Sequence, residues 1–205
     1  ESLSLGYRGI SHYSSATEQD VNEFLIALGY CQPTRPSAKY SEPILVSDSL
    51  LGIKYVSSKD CPAGFVPTGL PSTGTGETFY ENPYALPLGY AADEAVLTPP
   101  ETDGNPFAYQ NAFVSAILGE ETACFKPVEV RAVETEEGAL AWSADIPEGA
   151  LAYGYVHTTV PRWESDLYVD GALRGRYFQW FSHHIFHIGQ FDQAHTASIR
   201  IDNTI

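Results

Sequence analysis

The sequence has few positive charges, few cysteines and no methionine. Eleven Lys and Arg stand against 26 Asp and Glu, which gives a formal net charge of −15 over 205 residues. A surface with that charge repels phosphate backbones, so nucleic-acid binding is excluded from the expected functions. No apolar run approaches the roughly eighteen residues that cross a bilayer. The sequence also contains no apolar stretch typical of a secretory signal peptide.

The three cysteines, Cys31, Cys61 and Cys124, are widely spaced and form no C-x-x-C pair. They permit at most one disulfide bond, and no spacing typical of a zinc site occurs, so we expect no metal and no cofactor. Between Lys59 and Lys126 there is no Lys, Arg or His, whereas nine Asp and Glu fall there. This stretch predicts a solvated acidic surface. The alternatives are a cation site or a carboxylate pair for glycoside chemistry.

Residues 15–29 predict a helix, with Ser15 and Glu18 as a capping box and Gly29 as its end. Its expected apolar face consists of Val21, Phe24, Leu25 and Leu28. Residues 46–58 predict one helical turn, capped by Ser47 or Asp48, and then a strand.

Residues 104–119 predict the second main helix. Asn105 is the expected N-cap, Pro106 takes the first helical position and Gly119 ends the helix. The expected packing face consists of Phe107, Val114 and either Ile117 or Leu118.

From Gly138 onward, short aromatic and β-branched runs alternate with turn residues, which is typical of antiparallel strands. The Asp170-Gly171 pair between two such runs predicts a hairpin. Residues 183–191, with three histidines in five positions, favour a strand. His183 and His187 would then lie on one face on the order of 13 Å apart, too far to share a metal ion.

The expected fold class is therefore α+β and dominated by β-structure. A mixed α/β region with two main helices is expected over residues 1–128, and an antiparallel, jelly-roll-like β-sandwich over residues 129–205. The chain starts at Glu1 rather than Met and stops inside a strand-like run, so we expect it to be a piece of a longer protein.

Three segments together resemble one family: "SLLGIKYVSS" (49–58), "FYENPYALPLGYAAD" (79–93) and "NPFAYQNAFVSAILGE" (105–120). They are similar to the extracytoplasmic portion of the YfhO family of bacterial multi-span membrane proteins. The "GISHYSS" opening and "LYVDG" (167–171) also look similar. The combination of "LLG-x-KY" and "YEN-x-x-ALP" carries the resemblance.

The resemblance implies a relationship to GT-C-type glycosyltransferases, which move a sugar from a polyprenyl-phosphate carrier onto an acceptor such as the cell-wall polymer lipoteichoic acid. The implied location is the outer face of the bacterial cell membrane. The implied partners are the protein's own transmembrane segments, a cell-wall glycopolymer or a lipid-linked sugar. No residue matches a catalytic loop of that class, so we assign no catalytic residue and expect a non-catalytic lobe.

Sugar binding uses aromatic faces next to hydrogen-bonding groups. The candidate substrate-binding residues are Glu81, Asn82, Trp163, Tyr168, Tyr177 and Trp180. Core packing is the alternative for the aromatic residues. For Glu81 and Asn82 the alternative is a turn-stabilising role, which we favour slightly for Glu81 because Pro83 and Pro87 make the segment rigid.

Two other functions stay open. One is a free-standing carbohydrate-binding β-sandwich module. The other is a glycoside hydrolase, which would need two carboxyl groups roughly 5–9.5 Å apart in a cleft.

Overall fold

The computed structural model describes residues 9–13, 18–31, 37–72, 74–134, 140–157, 163–179 and 184–201. The chain forms two compact units. The sandwich unit comprises residues 1–26, 30–41 and 126–205, and the mixed unit comprises residues 27–29 and 42–125.

The described elements are few helices and many short strands, all paired antiparallel. The helices are α1 (Gln19–Ala27), α2 (Leu45–Leu50), α3 (Pro106–Leu118) and a 3₁₀ turn (Glu94–Leu97). The strands are β1 (His12–Tyr13), β2 (Ser37–Ala38), β3 (Tyr55–Ser58), β4 (Val66–Pro67), β5 (Thr78–Glu81), β6 (Val130–Val133), β7 (Leu140–Ile146), β8 (Leu151–Gly154), β9 (Trp163–Val169), β10 (Ala172–Gln179), β11 (Phe186–Gln190) and β12 (His195–Ile201). The expected α+β class with dominant β-structure is confirmed. Across the described ranges, no helix has both the length and the apolar character needed to cross a membrane.

The sandwich unit contains a five-stranded sheet in the order β10-β9-β12-β7-β6 and a two-stranded sheet of β11 and β8. Every pairing in both sheets is antiparallel. Buried side chains from both sheets meet in one core, which is why we describe the unit as a sandwich: Ile146, Ala152, Leu167, Phe186, Ile188, Ala197 and Ile199. The jelly-roll connection order stays a prediction.

The hairpin between β9 and β10 turns at Asp170-Gly171, as the sequence predicts. Both residues have left-handed φ angles, +49° for Asp170 and +78° for Gly171. Two successive positive φ values define the turn whose twist matches the flanking strands. The Asp170 carboxylate accepts the Thr196 backbone N–H at 2.9 Å, so the turn is also fixed to β12.

The mixed unit contains a three-stranded sheet in the order β3-β5-β4. Val56 of β3 pairs with Tyr80 of β5, and both side chains are buried. Helix α3 has the predicted ends: the Asn105 side chain accepts the N–H groups of Phe107 and Ala108, and Gly119 ends the helix with a left-handed φ of +70°.

Two local expectations are wrong. The buried stripe of α1 runs through Asn22 and Leu25, so Val21, about 100° away around the helix, is 46% exposed. Ser47 and Asp48 do not cap α2. They lie buried inside it, where the Ser47 hydroxyl donates to the Leu28 carbonyl at 2.8 Å.

The predicted packing face of α3 is incomplete: Phe107, Val114 and Ile117 are half-buried, and Phe107 packs against Phe125, but the two most buried side chains after Pro106 were not predicted. Tyr109 and Gln110 are buried, whereas Leu118 is exposed. The Gln110 amide donates to the Leu28 carbonyl at 3.2 Å, so a polar side chain occupies a position that a search for apolar periodicity passes over. The predicted capping residue of α1, Ser15, lies outside the described residues.

Candidate functional site

The turn that follows β5 is held by the side chain of Asn82, which is buried. Its amide nitrogen donates to the Ser49 hydroxyl at 3.1 Å and to the Ile53 carbonyl at 3.3 Å. Its amide oxygen accepts the Tyr84 backbone N–H at 3.0 Å. Because all these hydrogen bonds are internal and the side chain is buried, Asn82 stabilises the turn and presents no amide group to a ligand.

The same turn joins the two segments that carry the family resemblance. Backbone bonds run from the Asn82 N–H to the Lys54 carbonyl at 2.8 Å, and from the Leu86 N–H to the Ser49 carbonyl at 3.0 Å. Residues 49–55 and 79–86 therefore form one structural element, although about 25 residues separate them in sequence.

Glu81 lies on the outer face of the three-stranded sheet, between two neighbouring strands. Its direct cross-strand partners are Tyr55 on β3 and Val66 on β4. The alternate residues Val56 and Tyr80 point into the core, so these three side chains are on the opposite, solvated face. Tyr55 is 53% exposed and Val66 is also exposed.

Lys54 completes this group. Its Nζ atom lies 3.5 Å from Glu81 Oε1 and 5.3 Å from the centroid of the Tyr55 ring. A hydrogen bond and a charge interaction with Tyr55, followed by the charge of Glu81, raise the pKa of Lys54 above its ordinary value. The sequence slightly favoured Glu81 as the residue that stabilises the turn, but the structure shows otherwise. Asn82 has that role, and Glu81 faces solvent beside an aromatic ring.

We call Lys54, Tyr55 and Glu81 the tyrosine face. A tyrosine ring with a carboxylate on one side and an ammonium group nearby offers an apolar plane, hydrogen-bond acceptors and donors within a few ångströms. That combination suits a sugar ring, whose C–H groups stack on the aromatic plane while its hydroxyls bond to the charged groups. The sequence contained the signal in "KY" of "LLG-x-KY", but nothing in it showed that this pair would lie beside Glu81.

The two tyrosines among the candidates in the sandwich unit lie on opposite faces of the five-stranded sheet. Tyr177 is directed inward: its ring centroid is 4.4 Å from that of Phe186, and its hydroxyl donates to the His187 carbonyl at 3.1 Å. Tyr168 alternates with the buried Leu167 and belongs to the outer face. The structure thus separates Tyr168 from Tyr177, and it directs the neighbouring side chains of Glu81 and Asn82 to solvent and to the interior respectively.

The outer face around Tyr168 carries paired charges. The Arg176 guanidinium bonds both carboxylate oxygens of Asp166, at 2.7 and 3.3 Å. This bond, together with weaker contributions that include Tyr168, lowers the pKa of Asp166 below its ordinary value. Trp163 begins β9, but its side chain and the whole of Trp180 lie outside the described residues, so both stay predictions.

The described part of the histidine segment is a strand, β11, that starts at Phe186. His187 faces Tyr153 of β8 with the ring centroids 5.4 Å apart. Burial, and then the positive charge of Arg174, lower the pKa of His187 to about 4. His183 lies outside the described residues. In the part of the chain that is described, no group of three or more His, Cys, Asp or Glu could hold a metal ion.

No curated protein matches this chain. Among solved structures, the cupin domain of Schizosaccharomyces pombe Cnp3 is similar over 38% of this chain and 67% of its own length, at 14% identity. The TM-score of 0.20 is too low to support an argument. The family model described as bacterial membrane protein YfhO matches residues 1–170. The chain therefore belongs to the YfhO family of bacterial membrane proteins.

Proposed function

We propose that this chain is a non-catalytic extracytoplasmic lobe of a polytopic membrane glycosyltransferase, and that its tyrosine face holds a saccharide for that enzyme. The sugar donor would be a polyprenyl-phosphate sugar, and the acceptor a cell-wall glycopolymer such as lipoteichoic acid. The protein's own transmembrane segments would be the lobe's fixed partner.

The observation that carries the proposal is the position of Tyr55. The side chain is an exposed aromatic ring on β3, beside the Lys54–Glu81 ion pair and opposite the end of β5, where Asn82 fixes the following turn. A rigid site loses little conformational entropy when a ligand binds, so a few contacts suffice for a weak, specific grip on one sugar unit. A polymer with many such units would raise the apparent affinity further.

The carboxylate geometry on this face supports holding rather than bond cleavage. Glu81 is paired with Lys54, and Glu77, which accepts the Ser57 hydroxyl at 2.8 Å, stands four residues earlier in an extended chain. Four extended residues span on the order of 13 Å. Glycoside hydrolysis uses carboxyl groups roughly 5–9.5 Å apart, so this pair does not suit it.

The outer face around Tyr168 favours a second candidate, a carbohydrate-binding module that acts by itself. Tyr168 lies beside the Asp166–Arg176 pair, which again combines a ring with charged groups. This pair already uses two parallel hydrogen bonds internally, however, and a ligand would have to compete with them. The tyrosine face is therefore the stronger candidate.

The experiment is a kinetic comparison of the full-length enzyme carrying Tyr55→Ala or Tyr168→Ala, with a lipid-linked sugar donor and a glycopolymer acceptor. If the tyrosine face holds the acceptor, Tyr55→Ala raises KM for the polymer about tenfold or more and leaves kcat nearly unchanged. Tyr168→Ala is the matched control and should leave both constants as they are. Equal KM values for Tyr55→Ala and wild type would contradict the proposal, as would turnover by the isolated chain.

A further inference from the structure

Within the tyrosine face, an ammonium group already lies between an aromatic ring and a carboxylate. Lys54 Nζ is 5.3 Å from the centroid of the Tyr55 ring, inside the distance of about 6 Å at which a ring attracts a cation. The same atom is 3.5 Å from Glu81 Oε1. The pKa of Lys54 is raised, chiefly by Tyr55 and then by Glu81, so both groups favour the charged form of an amine. The protein's own lysine thus shows which chemical group this face holds.

Lys54 is held at this position by a weak contact. The side chains of Lys54 and Glu81 are 56% and 36% exposed, and ion pairs that solvent reaches contribute little to stability. The 3.5 Å separation is longer than the roughly 2.7–2.9 Å of a charge-assisted hydrogen bond. A carboxylate has about four acceptor sites on its two oxygens, so Lys54 does not saturate Glu81. A ligand can therefore displace the lysine at a small cost.

The charge around this position attracts cations. Alternation along β3 places Ser57 on the outer face of the sheet, where its hydroxyl donates to the Glu77 carboxylate at 2.8 Å. Glu77 and Glu81 therefore both present carboxylates on this face. Residues 42–125 contain eleven Asp and Glu against two Lys, so the potential around the face favours a positively charged ligand over an anionic one.

We propose that the tyrosine face selects saccharide units that carry an ammonium group, such as amino sugars, and that Lys54 occupies the ammonium position until such a unit displaces it. The sugar ring stacks on Tyr55, and its ammonium group takes the place of Lys54 Nζ beside Glu81. An acidic saccharide is repelled, whereas a neutral one gains the ring contact alone. This selectivity rests on the proposed function, because it specifies the chemical class of the saccharide held at the same site.

The test is an amide chemical-shift titration of the ¹⁵N-labelled chain with three short oligosaccharides, at low ionic strength and about pH 6, where an amine is charged. The oligosaccharides consist of glucosamine, of neutral N-acetylglucosamine or of acidic galacturonate units. We expect the glucosamine oligomer to shift the amides of residues 54–57 and 79–82 with a Kd about tenfold lower than that of the N-acetylglucosamine oligomer. Added salt should reduce this difference.

Two charge-matched variants separate the local position from the overall charge of the unit. Lys54→Met removes the internal ammonium group and keeps an apolar stem, so the Kd of the glucosamine oligomer should fall about fivefold. Lys59→Met removes the same charge at another exposed position and should keep that Kd within about twofold of wild type. Glu81→Gln should raise the Kd of the glucosamine oligomer about tenfold and leave that of the N-acetylglucosamine oligomer unchanged.

The outcomes distinguish the selectivity from saccharide binding itself. Equal Kd values for the glucosamine and N-acetylglucosamine oligomers would overturn the selectivity and leave saccharide binding intact, whereas no shift with any oligomer would overturn both. An unchanged Kd for Lys54→Met would also overturn the selectivity. Weaker binding by Lys54→Met, or tightest binding of the galacturonate oligomer, would overturn it in favour of an anionic ligand held by Lys54. The substituted side chains all reach solvent, and far-UV circular dichroism verifies that the variants are folded.

Discussion

The half-buried imidazole of His187 makes the stability of the sandwich unit depend on pH. Burial and the charge of Arg174 lower its pKa to about 4, from an ordinary value of 6.5. The folded chain therefore holds His187 neutral down to about pH 4, whereas the unfolded chain binds a proton near pH 6.5. Stability is fully present above about pH 6.5 and is lost as the pH falls toward 4.

The size of the effect follows from the two pKa values. A difference of about 2.5 between them corresponds to about 3 kcal/mol over the whole window, of which about 2 kcal/mol is lost between pH 7 and pH 5. That loss is a large part of the stability of a typical domain, which is about 5–15 kcal/mol.

Urea denaturation at a series of pH values measures this loss. The three tryptophans, Trp142, Trp163 and Trp180, all belong to residues 126–205, so tryptophan fluorescence reports on the sandwich unit. We expect the free energy of unfolding of wild type to fall between pH 7 and pH 5 by about 2 kcal/mol more than that of His187→Gln. The control is His157→Gln, which changes an exposed histidine and should keep the wild-type dependence. Identical pH dependence in wild type and His187→Gln would refute the reasoning.

Three further predictions test the fold. Asn82→Ala should lower the free energy of unfolding of the mixed unit by about 3 kcal/mol, because buried hydrogen-bonding groups lose their partner. Glu81→Gln should change it by less than about 0.5 kcal/mol. Thermal melts followed by far-UV circular dichroism compare the two variants. Gly154→Ala should destabilise the sandwich unit by about 1–3 kcal/mol, since an added Cβ would collide with the Phe186 ring, and an unchanged fluorescence-detected urea midpoint would contradict this. Asn105→Ala should cost about 1 kcal/mol through loss of the cap of α3, and Asn105→Asp should restore most of it in the same melts.

Local signals in the sequence predicted the elements that local chemistry determines. The hairpin at Asp170-Gly171 is right because two adjacent residues must accept positive φ, and α3 is right because Asn105 and Gly119 mark both ends. The prediction that Val21 belongs to the apolar face of α1 is wrong, because the elements against which a short helix packs decide which of its faces is buried. A rotation of about 100°, which corresponds to one residue, moves a side chain from core to solvent, and the sequence of the helix alone does not determine that rotation.

The sequence predicted only some of the residues of the candidate site, for a related reason. Glu81 could be singled out from its own segment, but the roles of Glu81 and Asn82 could not be separated until the turn was known. Tyr55 comes from a strand 26 residues earlier, and only the antiparallel register places it opposite Glu81. Long-range pairing of this kind leaves no signal in spacing or periodicity.

The central claim is that the tyrosine face holds a saccharide, and a chemical-shift titration of the ¹⁵N-labelled chain with lipoteichoic acid polymer tests it most directly. If the tyrosine face binds the polymer, the amides of residues 54–57, 79–82 and 84 shift first, and Tyr55→Ala abolishes those shifts while the chain stays folded. The claim is contradicted if these amides do not move, or if the shifts gather around Tyr168 on the sandwich unit instead.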